Sequence, residues 1–382
     1  MIRQIETRCI HGDVHKYQDN ARAISFPIYQ TASFSHTKPG HNGSGFDYSR
    51  ESNPTRQQLE ETVSSLEDAA DTVAFSSGMA AITVCFELFR PGDHIVCSED
   101  LYGGTVRLLH NIAEKNGLSI TFADTTNLSK LKASIQPNTK AIYIETPSNP
   151  MMNVTDIRAC AELAHSHEAL LVVDNTFLSP YWRNPITLGA DLVLHSGTKF
   201  LAGHNDTIAG FLCSAEQTQA DRIRLLSKTL GNTLDPFDSW LVLRGIKTLA
   251  VRMEQQQKNA KALAIWLTQQ PNVRKVYYIG LQEHPGYGIN AAQSRGAGSM
   301  ISFAVDSRET AISVLERVRI ITFADSLGGV ESLITYPVVQ THPDVPQEIR
   351  EQLGITETLL RLSVGLENVN DLIADLAQAL GE

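Results

Sequence analysis

From about residue 56 onward, short apolar runs alternate with longer amphipathic stretches. An apolar run without polar alternation is typical of a strand buried on both faces, and the stretches between the runs are long enough for crossover helices. The pattern therefore predicts an α/β fold built on a mostly parallel, doubly wound sheet. Seven runs carry this prediction: 72–75, 94–97, 119–122, 141–144, 170–173, 192–194 and 208–212.

Both ends of the chain differ from this central region. The N-terminal residues are interrupted by Pro and Gly, which predicts an irregular arm. A long helical pattern over 236–270 leads into a region with fewer strands, which predicts a smaller α+β domain. Its strand-like and helical segments are 300–305, 360–364, 309–319 and 369–380. We therefore predict an arm (1–55), a large domain (56–240) and a small C-terminal domain (241–382).

Composition narrows the classes of function. The 382 residues include 42 acidic and 32 basic side chains, for a formal net charge of −10. A nucleic-acid partner is not expected, because phosphate contacts require clustered Lys and Arg. No apolar run approaches the roughly 20 residues of a membrane span. The five Cys residues form no C-x-x-C pair, which favours free thiols in a reducing cytoplasm and argues against a metal site.

Polar residues follow the predicted strands, at the edge where doubly wound sheets bind ligands. Ser77 and Gly78 precede a helical pattern, and small residues at a helix start suit a phosphate, although simple capping would also explain them. Tyr102 precedes two glycines, and Asn149 lies between two prolines. The sequence has no Walker loop and no G-x-G-x-x-G motif, which argues against a nucleotide enzyme.

Asp174 and Lys199 follow two successive predicted strands. One interpretation is a structural ion pair near the strand ends. The other requires a cofactor, because a buried Lys can attack a carbonyl as a neutral amine and a buried Asp can keep a pyridine nitrogen protonated. The hydroxyls of Ser196 and Thr198 could then hold a phosphate, together with the amides at 78 and 79. Pyridoxal phosphate requires this set of groups.

The segment 191–205 (DLVLHSGTKFLAGHN) closely resembles the signature of the Cys/Met-metabolism enzymes that use pyridoxal phosphate. The resemblance covers nearly the whole chain. It implies a fold-type-I pyridoxal-phosphate-dependent transferase that assembles as a homotetramer, a dimer of dimers. The other motifs that carry it are 48–50, 53–56, 77–80, 101–105, 148–150, 326–329 and 361–365.

The resemblance implies roles for the matching residues. Lys199 would hold the cofactor through its amine and then move protons, and Asp174 would pair with the pyridine nitrogen. Tyr102 would stack on the ring and act as acid or base at the leaving group. Asn149 and Arg361 would bind the substrate α-carboxylate, for which an Arg fork is suited. The other implied cofactor contacts are Ser77, Gly78, Met79, Thr176, Ser196 and Thr198, together with Tyr48 and Arg50 from a neighbouring subunit's arm.

The substrate side of the implied site is charged at its far end. Cystathionine carries an amino-acid group at both ends, and Asp47, Asp325 and Arg107 match positions that face its distal group. Both acids are Asp where γ-lyases of the family usually have Glu, so each side chain is one methylene shorter. Methionine γ-lyases of the family typically have a Cys where this chain has Gly104 and an apolar residue where it has Asp325. The resemblance therefore disfavours methionine as the substrate. The implied substrate contacts are Asp47, Tyr48, Arg107, Asn149, Asp325, Ser326, Leu327, Thr341 and Arg361.

The resemblance therefore leads us to expect a carbon–sulfur lyase of transsulfuration. The expected reaction is γ-elimination of L-cystathionine to cysteine, 2-oxobutanoate and ammonia, with β-elimination from cystathionine, cysteine or homocysteine as a side activity. Cystathionine γ-synthase and then cystathionine β-lyase are the alternatives. A non-enzymatic, cofactor-binding regulator is disfavoured, because Lys199, Asp174 and Tyr102 are all present.

Overall fold

The structure is a computed structural model that describes residues 3–12, 23–343 and 345–381, so part of the predicted arm lies outside the described residues. The strands are β1 (Asp71–Phe75), β2 (His94–Ser98), β3 (Ser119–Ala123), β4 (Thr139–Glu145), β5 (Leu170–Asp174), β6 (Leu192–Ser196), β7 (Gly210–Ser214), β8 (Val273–Tyr277), β9 (Met300–Val305), β10 (Thr322–Phe323), β11 (Leu333–Thr335) and β12 (Leu359–Ser363).

The helices surround these strands. They are α1 (Ile5–His11), α2 (Pro54–Glu67), α3 (Gly78–Phe86), α4 (Gly103–Leu108), α5 (Leu128–Ala133), α6 (Ile157–His165), α7 (Ser179–Trp182), α8 (Gln217–Leu230), α9 (Pro236–Ile246), α10 (Leu249–Leu267), α11 (Tyr287–Gln293), α12 (Arg308–Arg317), α13 (Pro337–Gln340), α14 (Gln347–Leu353) and α15 (Val369–Leu380). No helix in the described ranges is long and apolar enough to cross a membrane.

The large sheet confirms the predicted α/β fold. Its strand order is β1-β7-β6-β5-β4-β2-β3, and the pairs from β6 through to β3 are parallel. β7 runs antiparallel to both of its neighbours. Successive residues of β5 enter opposite cores, with Leu171 and Val173 on one face and Val172 on the other. Both faces are therefore covered, as the continuous apolar runs predicted.

A second sheet forms in the C-terminal region, with the order β10-β11-β12-β9-β8. The apolar pattern predicts β9 and β12 but not the other three strands. β8 carries Arg274 and Lys275 on an exposed stretch, and β10 and β11 are only two and three residues long, so none of them forms an apolar run. The domain division at residue 240 stays a prediction, since α10 contributes Met253 to one core and Leu263 to the other.

Two local predictions are wrong. The N-terminal arm is not irregular throughout, because α1 packs against α2 and buries Cys9, which is 2% exposed. Seven residues are too few to show a helical period, so tertiary contact stabilises this helix. The helical pattern over 236–270 is two helices, α9 and α10, and Thr248 lies at the start of the second.

Candidate active site

One cavity opens where the parallel strands β4, β5 and β6 end. Because carboxyl ends of parallel strands meet at one edge, residues distant in sequence converge there. Most of the predicted site residues line this cavity: Ser77, Gly78, Met79, Tyr102, Asn149, Asp174, Thr176, Ser196, Thr198, Lys199, Asp325, Leu327, Thr341 and Arg361. Ser326 lies beside them, with its Oγ accepting a hydrogen bond from Lys199 Nζ at 3.1 Å.

Hydroxyl and amide groups gather at one end of the cavity. The Ser77 side chain caps α3 by accepting a hydrogen bond from the Ala80 amide at 3.0 Å. The amides of the first helical turn have no acceptor within the helix, which makes this end attractive to an anion. A Cβ at Gly78 would lie 3.0 Å from the Cβ of Ser196, so glycine permits the serine to approach the helix start. This end suits a phosphate.

Asp174 is oriented at the end of β5 by Thr176. The Thr176 amide and Oγ1 donate to Asp174 Oδ1 at 3.0 and 2.6 Å, and the same hydroxyl accepts from the Ser196 amide at 2.9 Å. Burial raises the pKa of Asp174 despite these hydrogen bonds, and the positively charged Arg183 opposes the rise. A cationic partner in the cavity, such as a protonated pyridine nitrogen, would stabilise the carboxylate.

Lys199 has the properties of a nucleophilic amine. Burial and the neighbouring Arg361 lower the pKa of Lys199 to about 8, while Asp325 opposes this effect. The fraction of molecules in which this amine is neutral near pH 7 is therefore larger than for an exposed lysine. The charges that shift its pKa most are those of Arg361 and Asp325 rather than that of Asp174, which favours the cofactor interpretation over a structural ion pair.

Arg361 is buried beside Lys199, with a side chain that is 2% exposed. Nη1 donates to Asn149 Oδ1 at 2.8 Å, and Nη2 donates to Thr335 Oγ1 at 3.1 Å. Burial lowers the pKa of Arg361 to about 10. Among the described residues its buried Nε has no hydrogen-bond partner. A buried guanidinium with an unused donor fits a bound carboxylate.

Tyr102 projects from the loop between β2 and α4. A Cβ at Gly104 would lie 2.4 Å from Cε1 of the Tyr102 ring, so the ring folds back over a position that requires glycine. Burial and Asp325 raise the pKa of Tyr102, and Arg107 opposes this effect. The phenol is therefore protonated at neutral pH and can donate a proton.

Besides Ser326, four predicted residues do not line this cavity: Asp47, Tyr48, Arg50 and Arg107. Tyr48 is 44% exposed, and the guanidinium of Arg50 lies 5.4 Å from its ring and donates to the Lys228 carbonyl at 2.6 Å. Asp47 accepts from His36 Nε2 at 2.8 Å. Arg107 is exposed on α4, close enough to affect Tyr102.

Sequence reasoning missed two buried residues at this site. Glu145 ends β4, lines the cavity and accepts from the Tyr102 amide at 3.0 Å. Burial and Asp174, its partner in the register of β4 and β5, raise the pKa of Glu145 well above its ordinary value. His342 follows Thr341 in the small domain and is 1% exposed. An acid directly after an apolar run was the available signal for Glu145, and the sequence offers no comparable signal for His342.

The residues present fit pyridoxal phosphate. The cavity joins an anion-binding helix start, a carboxylate that needs a cationic partner and an amine with a lowered pKa. Arg361 adds an unused buried donor for a substrate carboxylate. Lys199 would hold the cofactor, Asp174 would face its ring nitrogen, and the phosphate would lie between α3 and Ser196.

Comparisons with known proteins agree with this geometry. The sequence profile of the Cys/Met metabolism PLP-dependent enzymes matches residues 6–381. The chain is 44% identical to cystathionine gamma-lyase of Bacillus subtilis (strain 168) over 98% of each protein. It is 46% identical to cystathionine beta-lyase of Lactococcus lactis subsp. cremoris (strain MG1363) over 99% of each. Cystathionine gamma synthase of Xanthomonas oryzae pv. oryzae, solved with cystathionine, superposes with a TM-score of 0.96 at 39% identity, covering 100% of this chain and 98% of that one.

A buried carboxyl group beside the loop that carries Asn149 leads us to predict that stability depends on pH. Asp100 is 3% exposed and accepts hydrogen bonds from the side chains of Ser148 and Asn153. Burial raises the pKa of Asp100 to about 6, so the folded state binds this proton more tightly than the unfolded state. The contribution of Asp100 to stability is therefore present at low pH and lost as pH rises towards the folded pKa.

The variant D100N removes this titration. We expect the free energy of unfolding of D100N, relative to the wild type, to increase by about 1.4 kcal/mol per pH unit between the unfolded and folded pKa values and then to level off. Urea unfolding of both proteins from pH 4 to pH 8 measures the difference. A difference that does not change with pH would show that Asp100 titrates normally.

Proposed function

Since the chain belongs to the Cys/Met metabolism PLP-dependent enzyme family, we propose that it is a transsulfuration lyase that performs γ-elimination on L-cystathionine. The products would be cysteine, 2-oxobutanoate and ammonia. The observation that carries the choice of substrate is Asp325, which lies at the cavity rim with Oδ1 3.8 Å from Arg361 Nη2. A carboxylate beyond the α-carboxylate site gives a place for the ammonium at the distal end of cystathionine.

The residues that line the cavity would have separate roles in this reaction. Arg361 and Asn149 bind the α-carboxylate and hold the substrate in one orientation. When bound, pyridoxal phosphate supplies an electron sink for negative charge at the substrate carbons. Lys199 Nζ takes the α proton and returns protons within the cavity, because its pKa near 8 allows both directions at neutral pH. Tyr102 donates a proton as the sulfur of cysteine departs.

Two other reactions share these residues. The γ-synthase reaction would replace the acyloxy group of an O-acylhomoserine by the sulfur of cysteine and release the carboxylic acid, and the β-lyase reaction would release homocysteine, pyruvate and ammonia from cystathionine. Relatives with each of these names have similar identity to the chain. We favour γ-elimination and keep γ-synthase as the first alternative and β-lyase as the second.

We also propose that the arm acts in a second copy of the chain. Asp47, Tyr48 and Arg50 lie away from the cavity of their own chain, so a role at the cofactor phosphate or the distal substrate group requires a neighbouring cavity. A homotetramer built as a dimer of dimers would provide such neighbours. The five Cys residues are unpaired and buried, in keeping with a proposed cytoplasmic location.

Product analysis tests the proposed reaction. With L-cystathionine alone, the holoenzyme is expected to release cysteine and 2-oxobutanoate. Pyruvate with homocysteine would establish β-elimination instead. Formation of cystathionine from O-acylhomoserine and cysteine, without 2-oxobutanoate from cystathionine, would establish the γ-synthase. A protein that fails to bind pyridoxal phosphate would contradict all three.

The variant D325V tests the distal contact. Loss of the carboxylate should lower kcat/KM for cystathionine by about tenfold or more, because a hydrogen bond to a charged group contributes roughly 1.5–3 kcal/mol. Homocysteine lacks the distal ammonium, so its turnover should change much less. The two substrates are compared on the same preparation. Equal losses on both would remove Asp325 from the distal site.

Hybrid enzymes test the shared site. K199A and R50A chains should each be nearly inactive alone. Co-expressed, they should regain activity, because a mixed dimer contains one cavity with Lys199 from one chain and Arg50 from the other. A K199A and D174N mixture is the control, since those residues belong to the same cavity of one chain. No gain in the K199A and R50A mixture would place Arg50 in its own chain's site or in neither.

A further inference from the structure

Two buried side chains contact the loops that carry Tyr102 and Asn149. Glu145 reaches them from the end of β4 in the large sheet, and His342 reaches them from the segment after α13 in the small domain. Their exposed fractions are 7% and 1%. Asn149 accepts a hydrogen bond from the Arg361 guanidinium, and Tyr102, Asn149 and Arg361 line the same cavity, so the relative position of the two loops affects the shape of its substrate-binding end.

The peptide group between Leu101 and Tyr102 is held on both sides. Its N–H donates to Glu145 Oε2 at 3.0 Å, and its carbonyl oxygen lies 3.2 Å from His342 Nε2. Because a peptide group is planar and its N–H and C=O point in opposite directions, partners on both sides prevent the plane from rotating. The orientation of this plane decides where the Tyr102 ring points.

The same two side chains hold Asn149. The Asn149 backbone is close enough to the Glu145 carboxyl group to lower its pKa, and the Asn149 carbonyl lies 3.1 Å from His342 Nε2. Glu145 therefore accepts a hydrogen bond from the Tyr102 loop and lies beside the Asn149 loop, and the His342 imidazole contacts a carbonyl of each loop. The side chain of Asn149 is left to accept from Arg361.

The hydrogen-bond partners of His342 fix its tautomer. Both partners of Nε2 are carbonyl oxygens, which only accept, so Nε2 carries the ring proton. Nδ1 then accepts from Thr341 Oγ1 at 2.7 Å. Burial and Arg361 lower the pKa of His342 to about 4, so the ring is neutral at neutral pH. A Cβ at Gly103 would lie 2.2 Å from the Thr341 carbonyl oxygen, which shows how closely this segment approaches the Tyr102 loop.

We propose that Glu145 and His342 form a clamp that fixes Tyr102 and Asn149 relative to each other and to Arg361. Both are positioning residues, because they act through the backbones of Tyr102 and Asn149. His342 belongs to the small domain, so the clamp also determines how that domain's Arg361 meets the large domain. The inference rests on the ring-stacking and carboxylate-binding roles proposed above.

The variants H342Q and H342N are both polar, so together they distinguish an effect of the His342 Nε2 contacts from a general effect of side-chain size or polarity. The amide nitrogen of Gln reaches the position of Nε2, whereas that of Asn reaches only the position of Nδ1. We expect H342N to weaken L-alanine binding to the holoenzyme by about tenfold, because it loses the contacts with the two carbonyl groups. H342Q retains these contacts and should bind L-alanine within about threefold of the wild type. The visible circular dichroism of the bound cofactor should fall in H342N and not in H342Q.

L-Alanine is a suitable probe because it has the α-carboxylate and amine of a substrate but no leaving group. Its dissociation constant, followed by cofactor absorbance, is independent of which carbon–sulfur reaction the enzyme catalyses. A wild type that binds L-alanine but does not turn over cystathionine would therefore refute the proposed reaction and leave the clamp to be judged separately.

E145L provides a second route to the clamp. It keeps a side chain of similar size but removes both oxygens, so the Tyr102 N–H loses its acceptor and L-alanine binding should weaken as in H342N. The double variant should lose less than the product of the single effects, because both residues act on the same two loops. H94Q is the matched control: His94 is equally buried and bonds to Thr139 and Thr121, but it starts β2 at the end of the strand opposite the cavity.

Wild-type L-alanine binding and visible circular dichroism in both H342N and E145L would overturn the proposal. If H342N does not fold, E145L decides alone, and wild-type values in it would overturn the clamp. An equal loss of L-alanine binding in H94Q would also overturn it, since the effect would then follow from any buried histidine. Weakened binding in H342N and E145L, with H342Q and H94Q unaffected, would support it.

Discussion

A buried guanidinium between the two sheets is the constraint on which the site depends. Arg361 lies in β12 of the small sheet. It donates a hydrogen bond to Asn149, which lies in the loop that follows β4 of the large sheet. Burial of a charge is unfavourable unless hydrogen bonds and opposite charges compensate it. Thr335 and Asn149 provide part of this compensation, and a substrate carboxylate would complete it at Nε. Under the proposed function, part of the unfavourable desolvation of Arg361 would be recovered when the substrate carboxylate binds.

The same cation adjusts the chemistry of its neighbours. Burial, reinforced by the field of Arg361, lowers the pKa of Lys199 and of His342, so Lys199 becomes a usable amine and His342 stays a neutral hydrogen-bond donor. Low dielectric surroundings strengthen both effects. Asp174 and Glu145 lie at paired positions of β5 and β4, and burial raises the pKa of both carboxyl groups. The cavity thus has a guanidinium at one end and two carboxyl groups at the other, which would suit a substrate carboxylate at the first end and a protonated ring at the second.

The sequence predicts those parts of the site that depend on one segment at a time. Asp174, Lys199 and the Ser77–Gly78 helix start each follow an apolar run, and the strand topology brings them together. His342 could not be predicted in this way, because its function comes from carbonyl groups at positions 101 and 149 and no local pattern records such contacts. The pattern misses β8, β10 and β11 for a related reason: they are short or polar, and pairing stabilises them, β8 with β9, β11 with β12 and β10 with β11. The helix α1 depends on α2 in the same manner.

The choice between elimination and replacement should then be determined at the rim rather than in the interior. Arg361 is 2% exposed and Asp325 is 55% exposed, although only 3.8 Å separates their charged atoms. A change in the interior alters several mutually dependent hydrogen bonds at once, whereas a rim side chain can change with little effect on the fold. Under the proposed function, Asp325, Arg107 and the arm of a second copy would face the distal part of the substrate, which differs between cystathionine and an O-acylhomoserine. One proton-transfer centre could then serve both substrates, and side-chain length at Asp47 and Asp325 would become a determinant of specificity.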